Sequence, residues 1–340
     1  MRRSIPMIAA ALLLVASACG GRPAPTSPTS PPPPGGTEVP ALRDARYSAV
    51  VARHFNDLTA EYEMKWDPIE HVQGTSDFSA GDAIVAYGQS NGMEIKGHAL
   101  IWHRSLPPWI DGLSVPELRA AFERHIRSVA EHYRGRVRTW DVVNEAIADD
   151  GTGLRNTVFR EKLGDDYIAE AFRLARQADP GALLFYNDYN GEGLGRKSDQ
   201  IFDLVQRLRN QGVPIDGVGL QMHISAVSPP PASDVAENMR RLAGLGLRVT
   251  ISEMDVRVRD VAGTPEARLD AQKSVYQSIV GVCVAEPRCD GVTFWGFTDA
   301  HSWIDGVFGP DDPLLFDEQY APKPAFYGVM DAFLRRPALR

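Results

Sequence analysis

The sequence predicts an α/β protein built as a TIM-type (β/α)8 barrel. Seven short apolar runs alternate with stretches of helical spacing, the order expected of a mostly parallel sheet. Two of these runs, Trp140-Asp141-Val142-Val143-Asn144-Glu145 and Val249-Thr250-Ile251-Ser252-Glu253-Met254-Asp255, are rich in Val and Ile, as strands covered on both faces are. Each delivers a glutamate at its end, where barrels of this class present chemistry. The 340 residues, 44% apolar and 24% charged, suit one large globular domain, and no internal repeat points elsewhere.

Residues 1–19 read as a leader to be set apart from the fold. Arg2 and Arg3 precede an apolar run, Met7 to Val15, too short to span a bilayer, and Ala16-Ser17-Ala18 satisfies the small-x-small cleavage rule. Cys19 follows directly, so the segment resembles a bacterial lipoprotein box and predicts lipidation at Cys19, with plain secretion after Ala18 as the alternative. Residues 20–40 are Pro, Thr, Ser and Gly, including Pro31-Pro32-Pro33-Pro34, a polyproline II spacer that cannot bury a core. Residues 41–340 are then the folded domain. The net charge of −8, without a basic stripe, argues against nucleic-acid binding and suits a neutral substrate.

Within the domain, 41–45 reads as a tail and Tyr47–Arg53 as a helix. The predicted strands are His54–Thr59, Glu94–Trp102, Val137–Val143, Leu183–Asn187, Val218–His223, Val249–Met254 and Val292–Phe297. Between them, Pro116–Tyr133 keeps Leu118, Phe122, Ile126 and Val129 on one helical face, and Tyr167–Ala178, Ser198–Gln211 and Ala271–Val284 follow the same rule. In an exported chain Cys283 and Cys289, so close in sequence, are expected to pair.

Two glutamates at the ends of different strands are the parts that two-carboxylate glycoside hydrolysis needs. The other strand ends agree. Lys96-Gly97-His98-Ala99-Leu100-Ile101-Trp102-His103, Gln221-Met222-His223 and Trp295-Gly296-Phe297, with Trp303 beyond, gather aromatic rings and bidentate polar groups, and Glu61, Lys65 and Trp66 follow the first predicted strand. Sugars present apolar ring faces and hydroxyl edges, so their sites combine these two kinds of side chain.

From Phe55 to about Leu334 the chain resembles family 10 glycoside hydrolases, the endo-1,4-β-xylanases. The resemblance rests on Glu61 to Trp66, Gly97 to His103, Trp140 to Ala146, Tyr186-Asn187-Asp188-Tyr189-Asn190, Gly219 to His223, Ser252-Glu253-Met254-Asp255 and Val292 to Gly296, and some members also carry the Cys283/Cys289 pair. It implies a retaining double displacement on xylan, with Glu145 as general acid/base and Glu253 as nucleophile. Glu253 must be ionised, and its charge helps Glu145 keep a proton. Asn144 is implied to bond the sugar 2-hydroxyl, and His223 to orient Glu253 with Asp255 holding the imidazole. Glu61, Lys65, His98, Trp102, Gln221, Trp295 and Trp303 match sugar-contacting positions, and Tyr189 serves the leaving-group side. No cofactor or metal is implied, and the enzyme is expected to act as a monomer, touching membrane only through Cys19. The alternatives are a β-1,4-glucanase with the same machinery and a catalytically impaired glycan-binding lipoprotein.

The chain departs from the family pattern in two places. Tyr62 stands where members carry Asn, which predicts altered hydroxyl recognition beside Glu61. The family's acid/base lies on strand four and its nucleophile on strand seven, whereas Glu145 and Glu253 fall on the third and sixth runs found here. The missing strand is therefore the first. Thr37-Glu38-Val39-Pro40 is too short to supply it, so 54–59 and 292–297 are expected to be neighbours with no strand between them.

Overall fold

The computed structural model describes the backbone of residues 8–12 and residues 40–334. Nine strands form one parallel sheet: β1 (Ile8–Leu12), β2 (Asp57–Ala60), β3 (Glu94–Trp102), β4 (Thr139–Asn144), β5 (Leu183–Asp188), β6 (Gly217–Leu220), β7 (His223–Ser225), β8 (Arg248–Arg257) and β9 (Cys289–Phe294). Each of β1 to β5 pairs with the next, β6 pairs with β8, β8 with β9, and β9 with β1, which closes an eight-stranded barrel. The short β7 pairs only with the outer half of β8, His223 level with Asp255.

The expected open seam is not there. Ile8–Leu12 lies between β2 and β9, Ala9 level with both Asp57 and Thr293. The seat asks for extended backbone that can bond on both sides, and an Ile-Ala-Ala-Ala-Leu run meets that demand. In sequence the same run has the apolar character of a leader's centre, and the Pro-rich tract parts it from the rest of the barrel. The expected cleavage point, Cys19 and the spacer up to 39 lie outside the described residues.

Several boundaries also move. His54 ends the helix Ala45–His54 rather than opening a strand, because Asp44 caps that helix, accepting from the Arg46 and Tyr47 amides, and Tyr47 and Val51 anchor its inner face. The run 218–223 breaks at Gln221-Met222, where Met222 takes φ +68°, and resumes as β7. The last strand starts earlier, at Cys289, and stops at Phe294, so Trp295 lies just past its end. The helix predicted from Ala271 begins at Pro265, with Thr264 as its cap.

The helical stripes pack as their spacing requires. In Val115–His132, Leu118, Phe122, Ile126 and Val129 are all buried, and Ser114 and Glu117 form a capping box, a feature of about 1 kcal/mol. Trp140 is buried between the sheet and the helix layer, 6.0 Å from the Tyr133 ring, so closely that a Cβ at Gly97 would lie 2.2 Å from its ring, and β3 can pass there only as glycine. Cys283 and Cys289 form a disulfide between the helix Pro265–Ala285 and the start of β9. Among the described residues no helix is long and apolar enough to cross a membrane. Register sets Trp102, Asn144 and Asn187 level at one end of the barrel, the C-terminal end, where the site assembles.

Candidate active site

Glu145 follows β4 directly and Glu253 lies within β8; both are buried. Their surroundings differ in kind. The Glu253 carboxylate takes a 2.5 Å hydrogen bond from Asn187 Nδ2 and lies 3.2 Å from His223 Nε2 and 3.8 Å from His98 Nδ1. Burial would raise its pKa, but His98, His223 and Lys96 together outweigh it and hold the carboxyl at about 2. His223 is in turn 2.7 Å from Asp255 Oδ2 through Nδ1. Burial disfavours its charge, yet Asp255 and Glu253 push the imidazole up to about 10. The nucleophile expected from the sequence is thus an anion clamped by cations and amides.

Neutral donors surround Glu145. Trp102 Nε1 donates to Oε2 at 2.8 Å and Gln221 Nε2 to Oε1 at 3.2 Å. The Asn144 amide joins the two halves, within 2.9 Å of Asn187 Nδ2 and 3.2 Å of Gln221 Nε2. Both donors are uncharged, in contrast to the imidazoles and the ammonium around Glu253.

Aromatic rings, the half-buried Lys65 and the buried Glu61 line the approach. Trp295 meets the His98 ring edge-on at 5.0 Å, Trp303 meets His223 at 4.9 Å, and Trp303 Nε1 donates to Asp255 at 2.8 Å. Lys65 holds its ammonium 4.5 Å over the Trp102 ring. Burial pushes the Glu61 carboxyl well up, Lys65 opposing, and pulls the Lys65 ammonium down. Glu61 Oε1 is buried with no hydrogen-bond partner, an acceptor left for a ligand hydroxyl. Tyr62 is half-buried beside it, its hydroxyl 3.5 Å from Asp67. Trp66, by contrast, is a core residue stacked on His125.

The predicted catalytic and sugar-contacting residues, Tyr189 apart, therefore meet at one end of the barrel. Tyr189 stands further back: its hydroxyl bonds Asp149 and accepts from Arg155 at 3.2 Å, and the Lys197 ammonium lies 3.7 Å over its ring.

Sequence reasoning passed over the supports. Lys96 and His98 each lie 2.9 Å from Asp141, which is fully buried in β4. The clue was available, since a charged residue inside an apolar strand must find a partner. Asn187 lies in a motif to which the sequence assigns no role; it bridges Glu253 and Ser252, whose Oγ donates to it at 2.6 Å. Behind them, a Cβ at Gly219 would come within 2.1 Å of Asn187 Oδ1. Arg155 gave no sequence signal. His98, Asp141 and Glu253 offer ligand atoms within 4.8 Å of one another, but Lys96 already sets its ammonium among them, so the cluster is built around a protein cation.

A parallel barrel with two glutamates at the C-terminal ends of separate strands, one ionised and one among neutral donors, defines a glycoside hydrolase. The profile of Glycosyl hydrolase family 10 matches residues 36–332, and the chain belongs to that family. It is 41% identical over 295 residues to endo-1,4-beta-xylanase B of Thermotoga neapolitana, covering 86% of this chain and 84% of that one. Over 302 residues it is 39% identical to an endo-1,4-beta-xylanase of Agaricus bisporus, covering 87% and 89%. The structure superposes on xylanase 10B from Thermotoga petrophila in complex with xylobiose with a TM-score of 0.82, at 40% identity, covering 85% of this chain and 89% of that one.

Proposed function

We infer that the protein is an endo-acting, retaining hydrolase of the β-1,4-xylosidic bonds of xylan. The observation that carries this reading is the unequal pair: Glu253 held as an anion at about 2 by His98, His223 and Lys96, and Glu145 held by Trp102 and Gln221. Glu253 attacks the anomeric carbon as Glu145 gives its proton to the glycosidic oxygen, so the C–O bond breaks and the aglycone leaves as an alcohol. Glu145, now a base, takes a proton from water; the hydroxide displaces Glu253 and both groups return to their starting states. The orphaned Glu61 oxygen and Lys65 hold sugar hydroxyls, Trp295 and Trp303 cover the ring face, and Asn144 bonds the 2-hydroxyl. Tyr189 serves the leaving-group side, and the protein acts as a monomer.

Reducing-sugar release from xylan beside carboxymethylcellulose tests the substrate, and NMR of the first-formed anomer tests the stereochemistry. Predominant activity on xylan with a β-anomeric product is expected. Preference for carboxymethylcellulose would make it a glucanase, an α-product would remove the double displacement, and no activity on either polymer would favour a binding protein.

Residues 1–19 serve as an export leader, with Cys19 lipidated and 20–40 as a spacer between membrane and barrel. The Cys283–Cys289 disulfide supports an oxidising destination. Cleavage before Cys19 would remove β1 with the leader, so the mature terminus decides whether the barrel is closed by this strand. Mass spectrometry of the exported protein reads it directly. A lipid-bearing Cys19 supports tethering, an unmodified start at Gly20 or later supports plain secretion, and an intact Met1 sinks the leader reading.

A further inference from the structure

The loop after the acid/base is fastened more heavily than a connection needs to be, and one side chain does most of the fastening. Glu145 takes φ +59°, a left-handed conformation that a residue with a Cβ holds only where its surroundings impose it. Its amide donates to Asn187 O at 2.8 Å, which fixes the peptide before it. The peptide after it is fixed by Arg155, whose Nε donates to Glu145 O at 3.0 Å and whose Nη2 donates to Ile147 O at 3.1 Å. The same guanidinium is locked from outside by Asp149, 2.7 Å away, and donates to the Tyr189 hydroxyl at 3.2 Å. Its own amide donates to Ala146 O at 2.7 Å, and the loop folds back through an antiparallel bridge between Ile147 and Leu154.

We propose that Arg155 is a positioning residue for proton delivery: it sets the direction of the Glu145 side chain by holding both carbonyls of the turn that carries it. The planar fork is the reason for arginine. It reaches Glu145 O, Ile147 O and Asp149 at once, whereas a lysine ammonium is a single point of charge on a flexible stem. The nucleophile is independent of this device, because Glu253 is seated by Asn187, His98 and His223 from other strands. Loss of Arg155 therefore injures the proton transfer and spares the attack.

The inference rests on reading Glu145 as the acid/base, and the test separates the two. Glu145→Ala, Arg155→Lys and Asp149→Asn are assayed for kcat/KM on xylan and on a dinitrophenyl β-xylobioside, whose leaving group departs without a proton. Arg155→Lys is expected to lose about 10²-fold on xylan, the scale of a misplaced group, and less than about threefold on the activated glycoside. Asp149→Asn keeps the arginine but frees the fork; it should show the same pattern at smaller size, and it stands in should Arg155→Lys fail to fold. Equal losses on both substrates, or no loss on xylan, in the folded variants would overturn the proposal. Should Glu145→Ala itself lose both substrates equally, the acid/base reading falls first. Selective loss in Glu145→Ala without it in Arg155→Lys and Asp149→Asn would remove only the role of Arg155.

Discussion

Glu145 and Glu253 are chemically the same side chain, buried to a similar degree, and the barrel gives them opposite work. Around Glu253 stand an imidazole held charged by Asp255, a second imidazole and the ammonium of Lys96, and they outweigh the cost of burying an anion. Around Glu145 stand an indole, a primary amide and a strained turn of its own backbone. Burial alone would have made Glu253 reluctant to ionise; the cations placed around it reverse that. A carboxylate's role in such a site is therefore read from its neighbours' charges rather than from its own depth.

The largest test of this contrast is Glu253→Ala. Hydrolysis of xylan and of the activated glycoside should both fall by roughly 10⁴-fold or more, as when a nucleophile is removed, with circular dichroism unchanged. Residual turnover near wild type would end the assignment. Glu145→Ala comes next. A loss of roughly 10²–10⁴-fold on xylan is expected, the usual worth of general acid–base catalysis, while the activated glycoside still forms its glycosyl-enzyme. A pre-steady-state burst on that substrate checks it.

His223→Gln probes the cations directly. Without the imidazolium, the acid limb of the kcat/KM profile should rise by roughly 1 to 3 pH units, because Glu253 loses a main opponent of its burial. An unmoved limb would mean that His98 and Lys96 suffice.

The smallest effect lies in stability. His223 is raised to about 10 when folded, so its contribution is complete below its unfolded value near 6.5 and fades as pH climbs through 10. Glu253 is lowered to about 2, so its contribution is present above about 4.5 and fades as pH falls through 2. Melting temperatures should thus decline between pH 6.5 and 10 more steeply for wild type than for His223→Gln. Parallel curves would show that the pair adds nothing net to the fold.

Much of this was legible because strand ends obey local rules. The runs ending in Glu145 and Glu253 alternate with helical stripes, and Leu118, Phe122, Ile126 and Val129 are buried as their spacing demands. What escaped was non-local. Ile8–Leu12 carries no mark of a barrel strand, and only pairing with β2 and β9, far away in sequence, makes it one. Arg155 escaped for a similar reason: its value lies in two carbonyls that only the folded loop turns toward it. Asp141 and Lys96 could have been found, since neither is tolerable inside a strand without the other nearby.

Gly219 shows how far the chemistry reaches into the wall of the barrel. It bears no functional group and touches no sugar, yet the smallest added side chain would strike the Asn187 oxygen at 2.1 Å and come within 3.0 Å of Ser252 Oγ. Asn187 would have to rotate, and Glu253 would lose its shortest hydrogen bond. For mutational tolerance, this silent position belongs with the glutamates. A random-mutagenesis screen scored on activity should return substitutions at Gly219 among its inactive clones, and some of them should still be folded proteins.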